Sequence, residues 1–383
     1  MAKTIIRITT VPMALKVLLA GQPGFMKEHG FNVILVSADG KEREDVIKTE
    51  GCEYVIVPMT RKITPLQDLV SFFKLRKLIK KYHPDIVHTH TPKAGLLGML
   101  AAKSAGVKVR IHTVAGLPLM VETGFKRQLL MFTERLTYMS ATEVWPNSRS
   151  MMDFITAKKL SASKKLSMIG SGSTNGVDLK KFSKQNLNEE IKTKIRSGIP
   201  SNGALKILCV GRMVKDKGIE ELIVVFEKLQ KQYSLQLILV GPFEPNLDPL
   251  SEATMNIITS NPAITHITWS DAVEYYMDLA DIFVHPSHRE GFPNVILQAG
   301  AMQAPVVCSN IPGNADIVKN EKTGLIFEVK NEDDLYSKLK FAIENKEQTA
   351  TIANNLYKEV MQLYNREKIH EEILKKYNEL LKM

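Results

Sequence analysis

An α/β fold built from two parallel sheets, each covered by helices on both faces, is what this sequence predicts. Three observations lead there. Short apolar runs rich in valine and isoleucine alternate with helix-length segments along nearly all of the 383 residues. The runs are continuously apolar, which is the pattern of strands buried on both faces. A polar stretch near the middle divides the series in two, and a chain of this length makes two domains the default.

In the first half the strand-like runs are IIRITT, NVILVSA, EYVIVPM, DIVHTH, VRIHTV, EVWPNS and LSMIGS, each bounded by Gly, Pro, Asn or Asp. Between the third and fourth, Pro65–Tyr82 predicts a helix with Leu66, Leu69, Val70, Phe73 and Ile79 at helical spacing. The stretch Gly170-Ser171-Gly172-Ser173-Thr174-Asn175-Gly176-Val177-Asp178 then interrupts the pattern, and a lysine-rich helix follows, ending near Gly198. The series resumes with KILCVG, LQLILVG, ITHITW, DIFVHPS, PVVCSN and TGLIFEV. From Glu332 onward the tail is expected to be helical throughout. Its last segment carries one apolar stripe of Ile369, Ile373, Tyr377, Leu380 and Leu381. The expected units are 1–172 and 173–363, with the helix 364–383 returning to the first and a ligand cleft between the halves.

Composition narrows the function classes. With 44% hydrophobic and 24% charged residues the chain is no disordered segment. Its net charge of +10 predicts attraction to anions. The charge is dispersed, with no basic-aromatic motif, zinc module or recognition helix, so nucleic acid is not the expected partner. Cys52, Cys209 and Cys308 are far apart and odd in number, which fits a reducing cytoplasm and no disulfide framework. The N-terminus has no secretory h-region, and no run approaches the ~18 apolar residues of a membrane span.

In such sheets ligands bind where strand ends lead into helix N-termini. The chain lacks a G-x-G-x-x-G after its first strand, a Walker loop and an Asp-x-Asp at a strand end, so a phosphate-bearing ligand needs protein cations. They follow the first strand of the second half, in Gly211-Arg212-Met213-Val214-Lys215-Asp216-Lys217-Gly218. Arg212 offers a planar fork and Lys217 a point charge, a combination suited to a diphosphate. A second cluster follows DIFVHPS: Ser287-His288-Arg289-Glu290-Gly291-Phe292-Pro293-Asn294-Val295, with Gln298 further on. Pro293 suits the first position of a helix whose amides at Asn294 and Val295 form an anion site. Glu290, just before that site, is explained by hydroxyl groups attached to the phosphate, or alternatively as a helix cap.

Arg212, Lys217-Gly218 and Glu290-Gly291-Phe292-Pro293, with position 298 eight residues beyond Glu290, resemble the family-four retaining glycosyltransferases. His88-Thr89-His90, His112-Thr113 and Asn175-Gly176-Val177-Asp178 extend the resemblance over essentially the whole chain. It implies the GT-B fold, two Rossmann-like domains facing across a cleft, and transfer of a sugar from a nucleotide-sugar, UDP-linked, to an acceptor hydroxyl with retention. By the same resemblance Arg212 and Lys217 neutralise the donor diphosphate, and Glu290 binds sugar hydroxyls. Gly291, Phe292, Pro293, Asn294 and Val295 hold phosphate and sugar, and His112 faces the sugar. Gln298 stands where the family usually has a second Glu, on the ribose hydroxyls, which implies looser nucleotide binding. The first loop, Thr9-Thr10-Val11-Pro12, lacks the Gly-Gly pair of many relatives.

No cofactor and no metal are expected. His88, His90 and His112 invite a metal reading, but a metal needs a convergent third ligand and second shell, and His-x-His at a parallel strand end is more often a packing and hydrogen-bonding feature. Lys93 is a candidate for an acceptor phosphate. The basic, apolar segments Arg61–Lys81 and Gly124–Phe132 suggest an anionic inner membrane face and a lipid-linked or polysaccharide acceptor. The alternative enzyme is a nucleotide-sugar epimerase of the same fold, which consumes donor without acceptor; a catalytically dead binding partner is a further alternative.

Overall fold

The computed structural model describes residues 2–120, 122–200, 203–245 and 248–382. The chain divides into two compact units, Met1–Asn175 with Arg366–Met383, and Gly176–Asn365.

The first unit holds six parallel strands: β1 (Lys3–Ile8), β2 (Phe31–Ser37), β3 (Glu53–Ile56), β4 (Ile86–Thr89), β5 (Val109–Val114) and β6 (Glu143–Pro146). Their order is β3-β2-β1-β4-β5-β6. The second unit holds β7 (Leu205–Val210), β8 (Leu235–Val240), β9 (Ile264–Ile267), β10 (Ile282–His285), β11 (Val306–Ser309) and β12 (Leu325–Phe327), ordered β12-β11-β10-β7-β8-β9. Counted within its own unit, each sheet has the order 3-2-1-4-5-6, and the strand order reverses next to the first strand. Ile5, Ile6 and Ile8 of β1 and Ile207 and Leu208 of β7 are fully buried, as strands covered on both faces require.

Three expectations need correction. LSMIGS forms no strand; only Leu166 bridges to Val144, because Gly170, Gly172 and Ser173 adopt positive φ and turn the chain out of the extended region. Pro293 is the cap of the helix Asn294–Ala301 and not its first residue. The helical tail has two breaks, separating Glu332–Glu344, Lys346–Leu363 and Arg366–Leu380.

The last helix belongs to the first unit. Its Ile369, Ile373 and Tyr377 are buried against Ile5, Val33, Leu35 and Trp145. Burying each such side chain contributes roughly 1.5–3 kcal/mol. Tyr377 also stacks on Trp145 and meets His88 Nδ1 through its hydroxyl at 2.6 Å.

The helix Pro65–Tyr82 is apolar on two opposite sides. Ser71, Leu75, Leu78 and Ile79 are buried, whereas Leu66, Leu69, Val70 and Phe73 of the sequence-level stripe face solvent. At 100° per residue these two sets lie on opposed faces, so one sheet-covering helix cannot bury both.

Candidate active site

In the second unit, β7 and β10 are neighbours at the point where strand order reverses, and the loops leaving them form the site. Gly218 closes the first loop with φ +68°, and a Cβ there would lie 2.1 Å from the Pro286 carbonyl oxygen. Only glycine permits that approach. Across it, Lys217 Nζ donates to Glu290 Oε1 at 2.5 Å. His285 Nε2, from the end of β10, lies 3.1 Å from the same oxygen. Burial alone would raise the Glu290 pKa; the Lys217 charge and the His285 hydrogen bond outweigh it and hold the carboxyl well below the usual carboxylate range.

A second set of contacts binds the two loops together. Arg289 pairs with Asp216 at 2.7 Å, His288 Nε2 meets Glu221 Oε1 at 2.8 Å, and the His288 amide donates to the Asp216 carbonyl at 2.8 Å. The Asp216 amide donates in turn to Asp248. Lys217 and Glu290 are thereby fixed by the backbone around them.

The helix Asn294–Ala301 points its N-terminus at this loop. No side chain caps it and its first turn carries no acid, so Glu290 is not its cap. An anion is favoured there. Phe292 is buried with its ring 5.7 Å from that of Tyr364, which anchors the turn. Gly291 packs against Gly313, where a Cβ would meet the Gly291 carbonyl oxygen at 2.8 Å. Asn294 and Val295 are half-buried in the first turn, and Gln298 one turn on is half-buried with no side-chain hydrogen bond among the described residues. Arg212, half-exposed, pairs with Glu244 at 2.8 Å and is not drawn into the Lys217–Glu290 contact.

In the first unit, His112 closes toward the end of β5, buried, with Nδ1 2.8 Å from Thr89 Oγ1. Gly95 makes room for its ring; a Cβ there would lie 2.4 Å from His112 Cε1. Burial pushes its pKa down to about 4, against a hydrogen bond with the Thr89 backbone that works the other way, so the ring is neutral at pH 7. His88 bonds Tyr377 and Thr113, and His90 meets the fully buried Arg7, which also bonds Gln22. Burial and then neighbouring positive charge depress both histidines strongly. Lys93, the candidate for an acceptor phosphate, is engaged with Asp68 at 2.6 Å and with Thr64 and the Lys62 carbonyl, where it ties two helices together. Among the described residues no group of three or more His, Cys, Asp or Glu is arranged to hold a metal.

Sequence reasoning missed His285, Glu244 and the Asp216–Arg289 clamp. For His285 the signal was present: a polar residue ending the otherwise apolar run DIFVH at the strand end already selected for inspection. The other two depend on which loops meet, which no spacing announces.

Residues 190–359 match the glycosyl transferases group 1 family and residues 25–171 the glycosyl transferase 4-like domain. Over 368 residues the chain is 35% identical to the capsular polysaccharide biosynthesis glycosyltransferase CapM of Staphylococcus aureus, covering 95% of this chain and 94% of that one. The chain belongs to the group 1, family-four glycosyltransferases. This glycosyltransferase is also 28% identical to the UDP-Gal:alpha-D-GlcNAc-diphosphoundecaprenol alpha-1,3-galactosyltransferase of Escherichia coli, over 81% of its own length and 79% of the other. Among solved structures it is similar to Anabaena HepE in complex with UDP and glucose, with TM-score 0.83, 17% identity and coverage of 98% and 100%. That likeness gives the glycosyltransferase its fold, GT-B.

Proposed function

We propose that this glycosyltransferase moves a sugar from a UDP-sugar to a hydroxyl of a lipid-linked saccharide in envelope or capsular polysaccharide assembly, with retention at the anomeric carbon. The observation that carries the reading is the Lys217–Glu290 pair at the strand-order reversal, beside the uncapped helix N-terminus. A lysine charge and a helix terminus suit a diphosphate, and an ionised carboxylate next to them suits hydroxyls of the attached sugar. The CapM likeness supports the polysaccharide setting, and the E. coli relative, named for a UDP-Gal donor and a diphosphoundecaprenol acceptor, supports donor and acceptor class.

The anomeric carbon–phosphate oxygen bond breaks as the acceptor oxygen bonds the same carbon. Negative charge builds on the departing diphosphate, within reach of Lys217, Arg212 and the helix end. A group fully engaged with the leaving group is typically worth ~3–4 kcal/mol. The departing phosphate oxygen takes the acceptor proton on the same face, which yields retention without a protein nucleophile. His112 is neutral, with Nε2 unbonded among the described residues. A panel of nucleotide-sugars tests the donor: a UDP-sugar at about a hundred times its Kd adds about 2.7 kcal/mol of stability. NMR of the product's anomeric configuration tests retention; an inverted product refutes it.

Features of the first unit support a peripheral position on an anionic membrane. Leu66 (84% exposed), Leu69, Val70 and Phe73 are followed on the same helix face by Lys77, Lys80 and Lys81. The helix Gly124–Ser140 exposes Phe125 (80%), Phe132 and Met139 beside Lys126, and both helices pack on Pro92–Ser104. Apolar side chains rimmed by lysines suit an acidic lipid interface, while no described helix is long and apolar enough to cross a membrane. Sedimentation with anionic against neutral vesicles decides it; equal binding to both, or none, removes the membrane from the reading.

A further inference from the structure

We infer that His285 is a positioning residue for Glu290, the anchor that holds this carboxylate when Lys217 turns to the donor's phosphate. The inference rests on the donor-site reading above. β10 is apolar up to its last residue, and His285 there is buried, its ring near-parallel to Phe283 at 6.3 Å. A polar ring at that depth requires a partner. Its Nε2 lies 3.1 Å from Glu290 Oε1. A carboxylate only accepts, so Nε2 carries the proton.

Lys217 Nζ reaches the same oxygen. With both donors on Oε1, Oε2 takes no hydrogen bond among the described residues and is left for a sugar hydroxyl. The two donors differ in kind. Lysine is a point charge on a flexible stem, able to divide itself between carboxylate and phosphate. The imidazole rises from a sheet strand paired on both sides. When phosphate draws the ammonium away, the His285 bond keeps Glu290 oriented and ionised. Lys217 and His285 are the titratable groups facing Glu290; behind Lys217, burial in β7 pushes the Cys209 thiol up to about 12 and keeps it uncharged.

His285→Phe keeps the ring and removes the donor, whereas His285→Gln keeps an N–H. Loss of the donor should lower kcat/KM about tenfold, the scale of a hydrogen bond to a charged group. It should also move the acid limb of the pH–kcat/KM profile upward, since Glu290 becomes easier to protonate, while affinity for UDP, which has no sugar, stays unchanged. His285→Gln should recover most of both. Wild-type kcat/KM in His285→Phe, an unmoved acid limb, or a His285→Gln as impaired as His285→Phe overturns the inference. Should His285→Phe fail to fold, 15N NMR of the wild-type ring decides: an Nε2–H supports the role, and an Nδ1–H tautomer at neutral pH overturns it. A wild-type protein that transfers from no nucleotide-sugar sinks the donor reading instead, and the tautomer is measured independently of it.

Discussion

Both sheets have the same strand order, yet their reversal points are chemically unlike. In the first unit the loops after β1 and β4 are joined by neutral groups: the Thr10 amide donates to Thr91 Oγ1 at 3.0 Å, and the two hydroxyls lie 2.7 Å apart. In the second, the loops after β7 and β10 are joined by the Lys217–Glu290 ion pair. The strand ends repeat the contrast. In the first unit the uncharged His88, His90 and His112 surround a buried guanidinium, Arg7, whereas in the second the charge is the half-buried Glu290 carboxylate. Topology therefore supplies the location of a site, and side chains alone decide whether it carries charge. A buried charge costs more than a buried hydroxyl unless it is paired and hydrogen-bonded, as Glu290 is by Lys217 and His285.

The contrast is open to attack at several points. The largest expected effect is that of Lys217→Ala, which should lower kcat/KM about five-hundredfold by removing a positive charge from the leaving group. Near-wild-type turnover would make the ion pair merely structural. Next comes acid sensitivity of the first unit. The folded pKa of His112 is about 4 against an ordinary 6.5, so its contribution is complete above pH 6.5 and lost as pH falls toward 4. Glu134, raised by burial to about 7, has the opposite sign, so the measurement is differential. Wild type should lose about 3 kcal/mol more than His112→Gln over that interval in denaturant melts; parallel curves would mean the ring is not buried neutral. Arg212→Ala should cost only about tenfold in kcat/KM, because the residue is half-exposed and already paired with Glu244. The smallest effect belongs to Thr91→Val, about 1 kcal/mol of stability with unchanged UDP affinity. A loss of UDP binding there would erase the distinction between the two reversal points.

Legibility in the sequence followed the range of the interactions. All six strands of the second unit stood as largely apolar runs because the central strands are mostly buried on both faces, while the edge strand β9 carries half-buried Thr265 and His266. LSMIGS was apolar enough to mimic a seventh strand of the first unit, and its following glycines turned it away. Lys217 and Glu290 were visible as charges at strand ends, but their meeting on one oxygen was not. The helix Pro65–Tyr82 was legible as a helix, yet which apolar side would be covered was not, since both faces carry suitable residues.

The chain's own pattern thus determined element order, the doubled α/β architecture and the residues from which a diphosphate site is proposed, since period and composition are local properties of neighbours in sequence. Tertiary structure decided that His285 meets Glu290, that Lys93 is occupied with Asp68, and that Leu66 and Phe73 stay uncovered by the chain. Each of these depends on which distant segment arrives alongside, and close packing between segments is a condition that no single stretch of sequence contains.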